Sequence, residues 1–125
     1  MAARNVLLVD DDPIFREAVT AVLETRYRVR TASNGAEALA AVAQELPDIV
    51  ILDVMMDHLS EGFDVARELR TGDATRGVRI VMLTGVDQVY NMRMEIEESW
   101  VPYDRYLEKP VAPAKLLATI DELLA

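Results

Sequence analysis

Short apolar runs and stretches of helical periodicity alternate from one end of this chain to the other, and that alternation leaves few folds open. Asn5–Val9, Asp48–Leu52, Val78–Leu83 and Asp104–Glu108 each read as a buried strand, and each is followed at once by a polar group. Those groups are Asp10 and Asp11, Asp53, Thr84 and Lys109. If the strands are parallel neighbours, all five side chains emerge at the same end of one sheet.

The intervening stretches supply the helices. Pro13–Glu24 carries Phe15, Ala18, Val19, Val22 and Leu23 at helical spacing. Tyr27–Thr31 is a short alternating strand, and Ser33 or Asn34 caps a helix showing Ala38, Leu39, Val42 and Ala43. An irregular loop over Asp53–Glu61 leads into a helix expected from about Gly62 to Arg70, and Thr71–Gly77 is a polar connection. Val89, Met92 and Ile96 mark a helix over Asp87–Ser99, and Pro113 opens a last helix with Leu116, Leu117, Ile120, Leu123 and Leu124 inward. Five β–α units in strict alternation predict an α/β domain, a parallel sheet covered by helices on both faces. The near-continuous apolar strands agree, because such strands are covered on both sides. In open sheets of this kind ligands bind beyond the carboxyl ends of the strands.

At 125 residues the chain fits one domain, 1–125, with room for a real core. The absence of cysteine excludes a disulfide framework, a thiolate metal site and a cysteine nucleophile. A net charge of −9 argues against nucleic acid as a direct partner. Neither a signal peptide nor a membrane span is read from the sequence, and a cytoplasmic protein is expected. The one basic stripe, Arg26, Arg28 and Arg30, reads as an edge strand protected by charge.

Within the polar set, Asp12 before Pro13 is a helix start: a carboxylate cap followed by proline at the first helical position. Asp10 and Asp11 have no such structural role. Two adjacent carboxylates at a buried strand end, joined by Asp53, repel one another unless a hard cation sits among them. Oxygen-only ligands suit Mg²⁺ better than zinc. Beside such a cation Asp53 is a candidate nucleophile toward phosphorus. Thr84 can reach a phosphoryl oxygen if the backbone shifts, and Lys109 can balance acidic or phosphoryl charge. Lys109-Pro110 invites a cis peptide. His58 reads as a loop residue, and Met55 and Met56 as loop and core packing.

The run Val6–Pro13, the run Pro47–Met56, Gly62-Phe63, Val81–Thr84 and Tyr106–Pro110 resemble, in that order, the receiver domain of two-component response regulators over the full length. The resemblance implies a flavodoxin-like, three-layer (βα)5 fold with strand order 2-1-3-4-5, the order shared by flavodoxin and a chemotaxis receiver. It implies that Asp53 accepts a phosphoryl group from a histidine kinase or histidine phosphotransfer protein. It implies that Asp10, Asp11, Asp53 and the backbone carbonyl of Met55 hold Mg²⁺, and that Thr84 and Lys109 bind phosphoryl oxygens. Tyr106 becomes an aromatic switch that turns inward as Thr84 moves. The readout surface lies on the fourth helix, fifth strand and fifth helix, facing an unspecified protein target, and a weak homodimer is compatible with it.

The chain departs from the family pattern after Asp53. Met56 is followed by Asp57 rather than proline, and Gly62 lies one position further from the aspartate than usual. The stretch from Thr84 to Lys109 is longer, with Trp100 near the readout face. Met55 and Val86 are apolar where the family often places the hydrolytic water, so slow self-dephosphorylation is expected. A signalling module without turnover is therefore the first reading. A phosphatase of the haloacid dehalogenase type is the second, echoed by Asp10-x-Asp12-x-Ile14, but Asp12 is better explained as a cap and no acidic pair follows Lys109. Nucleotide or flavin binding lacks a glycine-rich phosphate loop.

Overall fold

The computed structural model describes residues 4–53, 59–85 and 102–125. Five parallel strands, β1 (Asn5–Val9), β2 (Arg28–Ala32), β3 (Ile49–Asp53), β4 (Arg79–Gly85) and β5 (Arg105–Lys109), lie in the order β2-β1-β3-β4-β5. The helices among the described residues are α1 (Pro13–Leu23), α2 (Gly35–Gln44), α3 (Leu59–Thr71) and the C-terminal α4 (Pro113–Leu124). The expected flavodoxin-like order and three-layer arrangement are present. The helix expected over Asp87–Ser99 lies outside the described residues.

The pleat sorts each strand's side chains into two cores. Leu7 and Val9 of β1, Val50 and Leu52 of β3, and Ile80 and Met82 of β4 pack with α2 and α3 through Ala38, Val42, Phe63, Val65, Ala66 and Leu69. Their neighbours Val6, Leu8, Ile49, Ile51, Val81 and Leu83 pack with α1 and α4 through Val19, Leu23, Leu116 and Ile120. Each such side chain contributes about 1.5–3 kcal/mol when fully buried. Thus β1, β3 and β4 are fixed in the middle of the sheet, with their carboxyl ends in line.

The starts of α1 and α2 are set by side-chain caps, whereas α4 opens on Pro113 after Ala112 with no side-chain cap. Asp12 is extended (φ −89°, ψ 109°) and its carboxylate accepts from the N–H of Ile14 at 3.0 Å, ahead of Pro13. Of the two residues proposed for α2, Asn34 is the cap, accepting from Glu37 N at 2.8 Å. Glu37 reaches back to the Ser33 N–H and hydroxyl, at 3.0 and 2.8 Å, and these bonds hold its carboxyl below the usual range.

Several boundaries move. α3 begins at Leu59, ahead of the expected Gly62, which is buried within its first turns. β2 is shifted by one residue, and β4 runs on through Thr84 to Gly85. Ala18 and Ala43, placed on buried helical faces from periodicity, are exposed.

β2 is an edge strand, as its basic stripe suggested, but the arginines also fasten helices. Arg30 donates to the carbonyls of Ala41 and Glu45 at the end of α2, Arg28 pairs with Glu45 at 2.9 Å, and Arg26 pairs with Asp121 on α4. Cations at a helix C-terminus also complement its dipole. Among the described residues no helix is long and apolar enough to cross a membrane.

Candidate functional site

The carboxyl end of β1 is prolonged by one rung, Asp10 N donating to Ala32 O at 3.0 Å. This carries Asp10 to the sheet's edge while keeping it fully buried (0% exposed), and Asp11, next along, is exposed. Asp10 Oδ1 accepts from the N–H of Asp12 at 2.8 Å, and its carbonyl accepts from Arg16 Nη1 at 2.8 Å. The turn between β1 and α1 is thus closed on both sides of Asp10, and only Oδ2 is directed toward β5.

Asp53 closes β3 and is 1% exposed. Lys109 closes β5, two strands away, and the Lys109-Pro110 peptide is cis, as expected from the dipeptide. Lys109 Nζ lies 3.2 Å from Asp53 Oδ2 and 3.2 Å from Asp10 Oδ2. It also sits over the Phe15 ring, 4.1 Å from the centroid.

Asp10, Asp11 and Asp53 each offer a carboxylate oxygen such that all three atoms lie within 4.8 Å of one another. Three carboxylates and one ammonium leave a formal charge of −3 + 1 = −2 in this crevice. Crowding like charges that closely costs on the order of several kcal/mol where solvent is partly excluded. A hard divalent cation removes that cost, and an all-oxygen donor set without histidine or cysteine fits Mg²⁺ rather than zinc.

Thr84, fully buried, stands one rung beyond the partner of Asp53, since Asp53 pairs with Leu83 and Thr84 with Glu108. Its hydroxyl donates to Gly85 O at 3.3 Å, a weak bond that a better acceptor can replace. Tyr106 pairs with Met82, so the two-residue period sets Tyr106 and Thr84 on the same face. There Tyr106 packs against the α2–α3 core and meets Tyr103 edge to face at 6.2 Å. Asp53 and Lys109 belong to the opposite face by the same count.

Four predicted site residues, Asp10, Asp11, Asp53 and Lys109, therefore come together, while Thr84 and Tyr106 lie on the other face of the sheet. Met55, Met56, His58, Val86 and Trp100 lie outside the described residues. Sequence reasoning missed Phe15, read only as core, and Arg16. A signal existed: helical side chains lean toward the N-terminus. A helix starting at Pro13 therefore aims its first turn at the strand ends. Glu61 was missed as well; its Oε1 accepts from Gly35 N at 2.6 Å and joins the first turn of α3, the helix that follows Asp53, to the start of α2.

The family model of the response regulator receiver domain matches residues 6–121. The chain is 35% identical to the protein PilH of Pseudomonas aeruginosa over 125 residues, covering 97% of this chain and 98% of PilH. It is 41% identical to the response regulator MprA of Mycobacterium leprae over 122 residues, covering 96% of this chain and 50% of MprA. The chain thus spans about half the length of several curated relatives it matches. Among solved structures, the chemotaxis response regulator CheY4 of Vibrio cholerae superposes with a TM-score of 0.83 at 31% identity, covering 98% of this chain and 100% of that one. With sheet order, acidic crevice and sequence match in agreement, the chain belongs to the response regulator receiver domain family of two-component signalling.

Proposed function

We propose that residues 1–125 form one receiver domain that accepts a phosphoryl group on Asp53 and uses it to switch a protein-binding surface. The observation that carries this reading is the Lys109 ammonium 3.2 Å from the buried Asp53 carboxylate, inside a cluster of three aspartates. The donor is a histidine kinase or a histidine phosphotransfer protein. An Asp53 oxygen forms a bond to phosphorus, the phosphorus–nitrogen bond of the donor phosphohistidine breaks, and the imidazole leaves with the electron pair. Asp10, Asp11 and Asp53, with the backbone carbonyl of Met55, would hold Mg²⁺. When bound, that ion supplies charge neutralisation for the carboxylates and the phosphoryl oxygens.

Lys109 and Thr84 are the groups that grip the product. A phosphoryl group adds roughly −1.5 to −2 charge and strong acceptor oxygens. Lys109 pairs with one of them, and the Thr84 hydroxyl exchanges its long bond to Gly85 O for another. Tyr106, on the same face as Thr84, turns inward into the space vacated. The group biases a pre-existing equilibrium toward the form that grips it better. The surface that changes includes β5 and α4, and its target is a protein in the cytoplasm rather than nucleic acid. The phosphorylated form decays slowly and without turnover, so the domain acts as a switch and not as an enzyme.

Acetyl phosphate with Mg²⁺, followed by intact mass, tests this. One phosphoryl group per chain is expected in the unsubstituted protein and none in Asp53→Asn, with strong slowing in Asp10→Asn. Steady phosphate release that depends on Asp10 would favour a phosphatase instead.

A further inference from the structure

The geometry points to Phe15 as a positioning residue for phosphoryl capture, its ring holding the Lys109 ammonium at the wall of the crevice. This role rests on Asp53 being the acceptor. Lys109 carries three N–H donors. Carboxylate oxygens of Asp10 and Asp53 lie 3.2 Å from Nζ, and the Phe15 centroid lies 4.1 Å away on a further side. The lysine side chain is only 21% exposed, so the ring face stands where water would otherwise solvate the ammonium. An ammonium over an aromatic face is attracted by the ring's quadrupole, and more strongly as water is excluded.

The ring matters because, unlike the Asp53 carboxylate, it is a partner of Lys109 that phosphorylation leaves unchanged, and unlike Asp10 it does not draw the ammonium away from the phosphoryl group by charge. When acetyl phosphate is the donor, an Asp53 oxygen forms the new bond to phosphorus. The bond from phosphorus to the acetate oxygen breaks, and acetate departs with the electron pair. Asp53 is then an acyl phosphate whose charge has moved outward onto the phosphoryl oxygens. A lysine held by carboxylates alone would be drawn toward Asp10 or out to water as its Asp53 partner changed. Phe15 offers the same face before and after, and so keeps Nζ within reach of the incoming oxygen. Phe15 belongs to α1, whose first turn is fixed by the Asp12 cap, so the seat is rigid.

The experiment replaces Phe15 with mono-, di- and trifluorinated phenylalanine, which drain the ring face while nearly preserving its shape. Phosphorylation of Asp53 by acetyl phosphate should slow stepwise, reaching about three- to tenfold at the trifluorinated ring, with the thermal midpoint almost unmoved. Phe15→Leu should resemble the trifluorinated protein, and Phe15→Trp should stay near the unsubstituted rate. Independently of phosphorylation, the Lys109 side-chain methylene protons should show an upfield ring-current shift that disappears in Phe15→Leu. A flat rate across the fluorinated series, or Lys109 shifts unchanged in Phe15→Leu, overturns the positioning role while leaving Asp53 as acceptor. Failure of the unsubstituted protein to be labelled at all overturns the acceptor reading, and this role with it.

Discussion

The Lys109 ammonium lies 3.2 Å from Asp53 and an equal distance from Asp10, so one cation links the ends of β1, β3 and β5. Both carboxylates are almost wholly buried, and neither has access to bulk water as a substitute partner. Removing one member of a buried ion pair typically costs about 3–5 kcal/mol, because the remaining charge stays desolvated. Lys109→Met should therefore lower the free energy of unfolding by about 3 kcal/mol in chelator. Millimolar Mg²⁺ should return part of the loss, since a cation can replace the missing positive charge among the aspartates. Urea titrations with and without Mg²⁺ check both halves, and an equal loss in the two buffers would contradict the proposed cation site.

Asp12 is acidic like its neighbours but does a different job. Its carboxylate accepts from Ile14 N and Phe15 N, so its replacement should act on α1 and not on the charge of the crevice. Asp12→Ala should cost about 1 kcal/mol of stability, while Asp12→Ser should cost little. Both should keep the Mg²⁺ dependence of the unsubstituted protein. Thermal unfolding and Mg²⁺ titration separate the two effects, and a large loss of Mg²⁺ affinity in Asp12→Ser would place Asp12 among the ligands.

The division between Asp12 and its neighbours was readable in the chain because proline at the first helical position announces a cap. The ends of β1 and β3 were readable because a buried parallel strand is an unbroken apolar run, so the first polar residue marks its exit. The expectation of a buried strand fails for β5, which lies at the sheet edge with only Leu107 buried and polar residues alternating along it. The start of α3 was not. Gly62 looked like a boundary, yet glycine is tolerated in a first turn, where Glu61 complements the helix dipole. Phe15 was hidden by its own periodicity, which assigns a buried face but not the neighbour across it. That Ala18 and Ala43 face solvent has a similar cause: a small apolar residue at the flank of a stripe is equally at home outside.

Glu61 and Gly35 form a contact with little room in it. A Cβ on Gly35 would meet Glu61 Cγ at 3.1 Å and Val65 Cγ2 at 3.2 Å. Glu61 can swing aside but Val65 sits on a buried helical face, so Gly35→Ala should cost about 1–2 kcal/mol despite alanine's better helix propensity. Glu61→Ala removes the acceptor of the Gly35 N–H and should cost about 1 kcal/mol, as for a lost cap. In the double variant the added methyl no longer meets Glu61. The double variant should then lose less than the sum of the two single losses, read as a double-mutant cycle of urea midpoints. Strict additivity would mean that Val65 alone sets the penalty.

Tyr27 links the turn before β2 to α4 by donating its hydroxyl to Asp121, which also receives Arg26. Burial first, and then this bond to a carboxylate, push the phenol from 10.0 up to about 12. The folded chain therefore holds the proton more tightly than the unfolded chain does. The stability linked to it is fully present below pH 10 and is lost as pH rises through about 12. Ultraviolet titration should show late phenol ionisation, and the contribution of Tyr27 to it should be lost in Tyr27→Phe. The variant should be less stable than the unsubstituted protein at neutral pH, and the gap should narrow as the medium becomes alkaline through that window. A gap that widened instead would mean that the phenolate, not the phenol, is the form the fold prefers, which the neighbouring Asp121 carboxylate opposes.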